Sequence, residues 1–322
     1  MGDNKAKYVE FCHSTYVPVF SQPWWMDAVC GSENWDVWLF EQGGKTAAAM
    51  PYYLERRGQY RYITKAPLTQ NNGILFRHED NAGPLPRAKF EEHVIEAACQ
   101  FISGLDMDVY EQQYHRSFVN WSPFFWQGYE AIPRYTYVIE DMTDLDAVEA
   151  GISRGYRKNI RKARKGCTLH TGLAPELFYR EHEKIFAKQG LACPFSEELW
   201  MRLYAEAREN NSGEIIWAEA PDGGVASLMF LVWDRQAAYP LLGGTMPEYY
   251  PLQSYSLVTW RSFERASELG VAYDFEGSMI ERIAKSFREY GAEPKSYFRI
   301  RKVFNPDIVR AEAEAKIAKL GE

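Results

Sequence analysis

Apolar residues never run long in this sequence. No stretch approaches the roughly 18 that a helix needs to cross a bilayer. The opening segment from Met1 to Ser14 also lacks the apolar core of a secretory leader. Disulfide chemistry is missing as well: Cys12, Cys30, Cys99, Cys167 and Cys193 are scattered and odd in number, so no disulfide framework is expected. Reduced thiols and a cytoplasmic location follow as expectations. Positive charge is in deficit overall, with a formal net charge of -7 and a pI near 5.6. That excludes a general nucleic-acid coat and makes any RNA contact local. Neither a Gly-x-Ser-x-Gly elbow nor a Walker loop occurs. His13, His78, His93 and His115 have no sequence partners that mark a triad. Cys167, His170, His182 and Cys193 supply metal-ligand types, but the second pair is too widely spaced for a structural zinc site, and no metal is expected.

What remains is an ordinary globular composition of 322 residues, 46% hydrophobic and 25% charged, which suggests two domains. Aromatics are abundant at 15%, enough for large cores and for clefts walled by rings. The most informative stretch is Arg154 to Lys165, with seven cations in twelve residues: Arg154, Arg157, Lys158, Arg161, Lys162, Arg164 and Lys165. Wound as a helix, these fall within an arc of about 160°, while Tyr156, Ile160 and Ala163 take the opposite side. An amphipathic helix with a dense basic face results. Such a face fits either plain solvation or a polyanion such as phosphate, pyrophosphate or RNA.

Along the chain, Pro23–Val29 reads as a helix, and Trp35–Phe40 and Thr46–Leu54 as strands joined by a glycine turn. Tyr60–Ile63 is a further strand, Pro67–Gly73 a loop and Pro86–Ile102 a helix, with Met107–Tyr110 and Arg134–Ile139 as strands. The second half repeats a similar order. Helices follow Asp144, span the basic stretch, and run over Pro175–Gln189 and Ser196–Asn210. Glu214–Glu219 and Val225–Trp233 pair as a hairpin around Asp222-Gly-Gly224, and Ala237–Leu242 is a strand ending at Gly243-Gly244. A helix over Leu252–Leu269 and a strand over Val271–Glu276 complete the half. The pattern predicts a mixed α/β fold from a duplicated unit, divided as 1–143 and 144–305. For the terminal helix, 306–322, packing back on the first domain is one arrangement and packing on the second is the other.

Two places carry candidate chemistry. In Tyr273-Asp-Phe-Glu-Gly-Ser278, strand alternation puts Asp274 and Glu276 on one face beside a flexible glycine, where they accept or relay a proton from an amine or serve as an ordinary strand end. Arg288, Arg299, Arg301 and Lys302 form a second basic cluster. Alternation there places Tyr297, Arg299 and Arg301 on one face, a pattern that a half-buried strand with outward arginines also satisfies.

Taken in order and spacing, these segments resemble the FemAB/FemX family of aminoacyltransferases. The basic helix near the start of the second domain matches Tyr156 to Lys165. A Trp-bearing helix with a following Ala-x-x-x-Gly matches Trp260 to Gly270. A strand ending Asp-Phe-Gly-Gly is similar to Asp274-Phe-Glu-Gly277, and Phe-Lys-x-x-Phe-Gly corresponds to Phe287-Arg-Glu-Tyr-Gly291. The resemblance covers about residues 144–302. It implies two tandem GNAT-like domains, each a mixed, mostly antiparallel sheet flanked by helices. It further implies transfer of an aminoacyl group from aminoacyl-tRNA to an amine of a peptidoglycan precursor, with no permanently bound cofactor. Two departures bear on this: Arg288 stands where the family has lysine, and Glu276 where it has glycine.

In that reading, Asp274, Glu276, Arg288 and Lys302 make up the catalytic set. Tyr156, Arg157, Lys158, Arg161, Tyr255 and Tyr297 bind substrate or its phosphates. Two alternatives stay open. One is an acyl-CoA or acyl-carrier N-acyltransferase. Such GNAT enzymes resemble one another in a Gln/Arg-x-x-Gly-x-Gly/Ala loop at a helix N-terminus. Both Gln70-Asn-Asn-Gly-Ile-Leu75 and Arg288-Glu-Tyr-Gly-Ala-Glu293 miss its last position, which counts against CoA but leaves diverged relatives using acyl-CoA or a carrier protein open. A non-catalytic module that binds a glycan or RNA in the same cleft is the other.

Overall fold

The computed structural model describes residues 3–188, 190–277 and 279–320. Gln189, expected to close a helix, and Ser278, expected at a strand end, lie outside the described residues. The chain forms two compact units, one from Met1–Arg134 with Ser296–Glu322, the other from Tyr135–Lys295.

The first unit opens with α1 (Asp3–Ser14), α2 (Pro23–Cys30), β1 (Trp35–Gln42), β2 (Lys45–Arg57), β3 (Tyr60–Thr64) and the short β4 (Leu75–Phe76). Next come α3 (Pro84–Gly104), β5 (Val109–Gln113) and the five-residue α4 (Ser122–Trp126). β6 (Glu130–Ile139) leads into the second unit. There the order is α5 (Leu145–Gly151), α6 (Arg154–Gly166), β7 (Thr168–Thr171), α7 (Pro175–Lys188), α8 (Glu197–Glu209), β8 (Gly213–Glu219), β9 (Val225–Trp233) and β10 (Ala237–Thr245). A 3-10 turn at Pro247–Leu252 precedes α9 (Ser254–Leu269), followed by β11 (Ala272–Asp274) and α10 (Glu281–Glu289). β12 (Glu293–Val303) and α11 (Pro306–Leu320) return to the first unit.

The same topology appears twice. In the first unit the strands run β1-β2-β3-β5-β12, antiparallel except for the parallel β3–β5 pair, and α3 makes the crossover. In the second, β8-β9-β10-β11-β6 repeats the scheme, with β10–β11 parallel across α9 and β7 added outside β8. A parallel pair of neighbours needs a crossover of this kind, so the helix between each pair is a topological requirement.

Alternation on the strands explains the layers. In the second unit Ile216, Ala218, Met229 and Leu231 share a core with Val258, Phe263 and Ala266 of α9. The opposite face of β9 carries Phe230, whose ring meets Trp200 of α8 at 4.9 Å. With helices on both faces, β9 is apolar and buried almost throughout. In the first unit α3 places Val94, Ile95, Ala98 and Ile102 on Met50, Ile63 and Tyr110.

Several expectations change. α1 is a helix without a readable apolar period, because its charged residues are spread around an otherwise useful Tyr8–Phe11–Cys12 edge. β10 runs through Gly243 and Gly244 rather than ending there. Glycine is required at Gly243, where a Cβ would sit 2.6 Å from Leu228 O, while a Cβ at Gly244 would lie 2.9 Å from the flexible Ile185 tip. The strand expected over Val271–Glu276 ends at Asp274, and Glu276 adopts a left-handed φ of 64°. Asp274 and Glu276 therefore do not share a strand face. Arg299 and Arg301 lie in β12 and pair with Glu111 of β5 at 3.4 and 3.0 Å, as expected of a half-buried strand.

Trp200 anchors the α7–α8 layer. It stacks on Phe178 at 4.5 Å, and its Nε1 donates to Pro175 O at 2.8 Å. Trp200→Ala should remove about 3–5 kcal/mol of stability, read as a lower urea midpoint with the slope of the transition unchanged.

Candidate active site

β10 and β11 stay paired only at Ala237–Ala272 and Ala238–Tyr273. Beyond that, β10 continues to Thr245 bonded to β9 alone, with an irregularity between Pro240 and Leu242. Among the described residues no backbone pairs with its other edge past Ala238. β11 meanwhile turns away: Asp274 registers with Val138, and Phe275 N donates to Tyr137 O. The strands open into a crevice at their carboxyl ends, where open α/β sheets bind ligands.

The first unit has the same parallel pair, and its own chain closes the gap. β3 and β5 pair at Tyr62–Val109 and Ile63–Tyr110, and Asn72 N then donates to Gln113 O at 2.8 Å. The buried Asn72 amide is held by Phe20 O and Ser21 Oγ, both at 3.0 Å. Gly73 lies against Tyr114, where a Cβ would approach the ring to 2.6 Å. The expected loop at Pro67–Gly73 is therefore a plug.

At the open crevice Asp274 is buried, and its Oδ1 accepts from the Thr136 hydroxyl and from the Glu276 amide. This bond pair shapes the tight turn through Glu276 and Gly277. Gly277 has φ 78° and its Cβ would fall 2.3 Å from Tyr135 O, so no side chain fits. Asp274 thus fixes where Glu276 begins. Tyr255, in the first turn of α9, is half-buried, and a methyl on Gly243 would lie 3.2 Å from its hydroxyl. Burial, with Tyr290 and Glu276 nearby, pushes the Tyr255 phenol up from its ordinary value, so it remains a neutral donor.

The Phe287–Gly291 motif has a structural explanation. Phe287 stacks on Phe275 at 4.6 Å, and Tyr290 stacks on the same ring at 5.7 Å. Gly291 ends α10 with φ 85°, passing so close to α5 that a Cβ would meet Gly151 O at 3.1 Å. Burial raises the Tyr290 phenol to about 12. Arg288 is exposed on α10, its Nε 3.4 Å from Ala284 O in the preceding turn. Because Arg288–Gly291 closes a helix, it offers no N-terminal amides of the kind a pyrophosphate loop uses.

α6 adjoins this cluster. Tyr156 meets Tyr290 at 4.7 Å, and its hydroxyl pairs with Ser286 at 2.8 Å. Ser153 caps the helix, Ile160 and Ala163 are buried, and Arg164 lies over the Trp260 ring. Arg157 turns inward, donating to Glu149 O and Ala150 O at the end of α5. Arg154, Lys158, Arg161, Lys162, Arg164 and Lys165 are exposed, and among the described residues none has a carboxylate partner. Elsewhere on the surface the cations Lys7, Arg57, Arg202 and Lys285 are paired with acids.

The structure thus brings Tyr156, Tyr255, Asp274 and Glu276 around Tyr290 and Phe275. Tyr297 and Lys302 belong to the first unit and are engaged there, Tyr297 with Gln113 Oε1 at 3.0 Å and Lys302 with Gln127 O at 2.8 Å. Thr136 is the residue that sequence reasoning missed. Its pairing with Asp274 depends on the β6–β11 register, which no local pattern encodes. His170 meets Glu219 at 2.8 Å, and no described cluster of three or more ligand types suits a metal.

Residues 152–282 match a family profile described as an acetyltransferase (GNAT) domain. No curated protein matches the chain significantly in sequence. Among solved structures, FemX superposes with a TM-score of 0.71 at 11% identity, over 97% of this chain and 98% of that one. The C-terminal domain of a protein described as a putative lysylphosphatidylglycerol synthetase, from Agrobacterium fabrum, gives 0.55 at 12% identity over 98% and 97%. A tandem GNAT protein from the clavulanic acid biosynthesis pathway gives 0.53 at 12% identity over 94% and 96%. The tandem GNAT-like fold expected from the sequence is the fold observed, and the profile match supports acyltransferase as the enzyme class.

Replacing Thr136 by Val leaves the buried Asp274 carboxylate short of a donor. This should cost about 1–3 kcal/mol, measured by urea unfolding. Thr136→Ser should recover most of the loss, since it keeps the hydroxyl.

Proposed function

We propose that the protein transfers an aminoacyl group from aminoacyl-tRNA to an amine of a cell-wall precursor, with the reacting groups meeting in the β10–β11 crevice. The observation that carries this reading is the basic face of α6. Six exposed cations without acid partners among the described residues sit on a helix whose first turn packs against the crevice cluster, in a chain of net charge -7. An RNA backbone suits such a face because each neutralised phosphate releases counterions.

In this mechanism the acceptor nitrogen attacks the ester carbonyl. An N–C bond forms, and the carbonyl oxygen becomes an oxyanion that the neutral Tyr255 hydroxyl is placed to receive. Glu276 takes the proton from the attacking amine and returns it to the ribose oxygen as the C–O bond breaks, giving an amide and a free tRNA terminus. Asp274 acts through position, holding the Glu276 amide. Lys158, Arg161 and their neighbours hold donor phosphates, and Arg288 extends the cationic surface from α10.

An acyl-CoA donor is disfavoured by the segment entering α9. Met246-Pro-Glu-Tyr-Tyr-Pro-Leu-Gln253 contains two prolines, which lack N–H groups, and the acidic Glu248, a poor cradle for a pyrophosphate.

Incubation with charged tRNA and amine-bearing precursors should give a product heavier by one aminoacyl residue in mass spectrometry. Thermal stabilisation by CoA, with no tRNA-dependent product, would instead select the acyl-CoA reading. The double variant Lys158→Glu/Arg161→Glu should bind tRNA at least about tenfold more weakly. Its log–log salt slope should be shallower by roughly 0.7–0.9 for each phosphate that the variant no longer neutralises, as measured by filter binding. An unchanged slope would remove α6 from the RNA site.

A further inference from the structure

In the first unit, one short segment exposes large apolar side chains together. Val119, Phe125 and Trp126 are 71%, 62% and 64% exposed. The segment is not loose. Trp121 N donates to Val119 O, Phe124 N to Trp121 O, and Gln127 N to Pro123 O, while Trp121 packs on Phe298 at 5.8 Å. Phe118 and Phe124 supply the buried anchors beneath. The fold therefore holds the outward rings in place although no described residue covers them, an unfavourable arrangement in water unless another surface takes them up.

The charges around the patch narrow the choice of surface. From Gln112 to Tyr129 the chain contains no carboxylate, and it carries Arg116. Lys302 reaches the same segment, its Nζ donating to Gln127 O. The bordering acids are Glu111, paired with Arg299 and Arg301, and the exposed Glu130. Size narrows it further. Aromatic side chains present about 150–250 Å² each, so Phe125 and Trp126, exposed to this degree, offer on the order of 200–300 Å², to which Val119 adds. A stable protein partner needs about 800 Å² from each side. A bilayer surface makes no such demand, since a few Trp and Phe rings at the headgroup level, beside cations, give weak and reversible attachment.

We infer that Val119, Phe125 and Trp126 form a membrane-surface anchor that dips into the interface of an anionic bilayer. This inference stands apart from the acyl-transfer proposal and holds whatever the donor and acceptor are.

Co-sedimentation of the full chain with vesicles of phosphatidylcholine and phosphatidylglycerol in 3:1 ratio tests it. The wild-type protein should pellet with the vesicles, and Phe125→Ser/Trp126→Ser should lower the partition coefficient at least about tenfold with its thermal midpoint unchanged. Lys158→Glu/Arg161→Glu separates the contribution of α6: in that background the Phe125/Trp126 substitutions should still cause the same fold-loss. The inference fails if the wild-type protein does not sediment, or if the Phe125/Trp126 variant partitions within about twofold of it. It also fails if light scattering shows a dimer that these substitutions dissociate, which would make the patch a self-association surface.

Discussion

The parting of β10 from β11 after two residue pairs is the constraint on which the rest of the second unit depends. A parallel pair joined by a crossover helix has both strand ends pointing the same way, and a ligand reaches backbone only if those ends diverge. Divergence leaves hydrogen-bonding groups of β10 unpaired, which is costly in a closed core. In the first unit the cost is avoided because Asn72 and its loop enter the gap. In the second the gap stays open past Ala238, and farther along β10 Gly243 is held free of a side chain by Leu228 O of β9. Among the described residues, the parallel strand pair is thus filled in one copy of the unit and left parted in the other.

An open strand end must also be held at a fixed angle, and this is where Asp274 works. A buried carboxylate is tolerable only when donors satisfy it. Thr136 from the neighbouring strand and the Glu276 amide from the turn both serve Oδ1, tying the end of β11 to β6 and fixing the left-handed turn that follows. The aromatic stack of Phe275, Phe287 and Tyr290 then braces the turn from behind, and Tyr156 carries the same packing to the base of α6. Chemistry placed on Glu276 inherits its position from this series of neighbours.

Much of the fold could be read from pattern, because helix and strand periods act locally. The β8–β9 hairpin, the long α3 and α9 and the basic α6 all show in residue spacing. What escaped was set by tertiary register. Strand alternation places Asp274 and Glu276 on one face, and the turn overrides it because Gly277 must pass tight against Tyr135. The five cations expected in the binding and catalytic sets look alike as sequence. Only packing shows that Arg157 caps α5 and that Lys302 is tied to Gln127, whereas Lys158 and Arg161 face solvent. Thr136 was illegible for the same reason, lying far from Asp274 in the chain and adjacent only through strand pairing.

Charge placement gives the basic helix its significance. Exposed ion pairs contribute little to stability, so leaving the cations of α6 unpaired loses almost nothing in folding, while mutual repulsion along the helix remains. Removing acids from around them has a different consequence. In a chain of net charge -7, α6 concentrates positive charge locally and so carries a field opposite in sign to that of the whole. Carboxylates beside α6 would weaken that field and neutralise the face internally, and the sequence puts none between Ala150 and Leu173. The helix kept this free of counter-charge is packed through Tyr156 against Tyr290, beside the parted ends of β10 and β11.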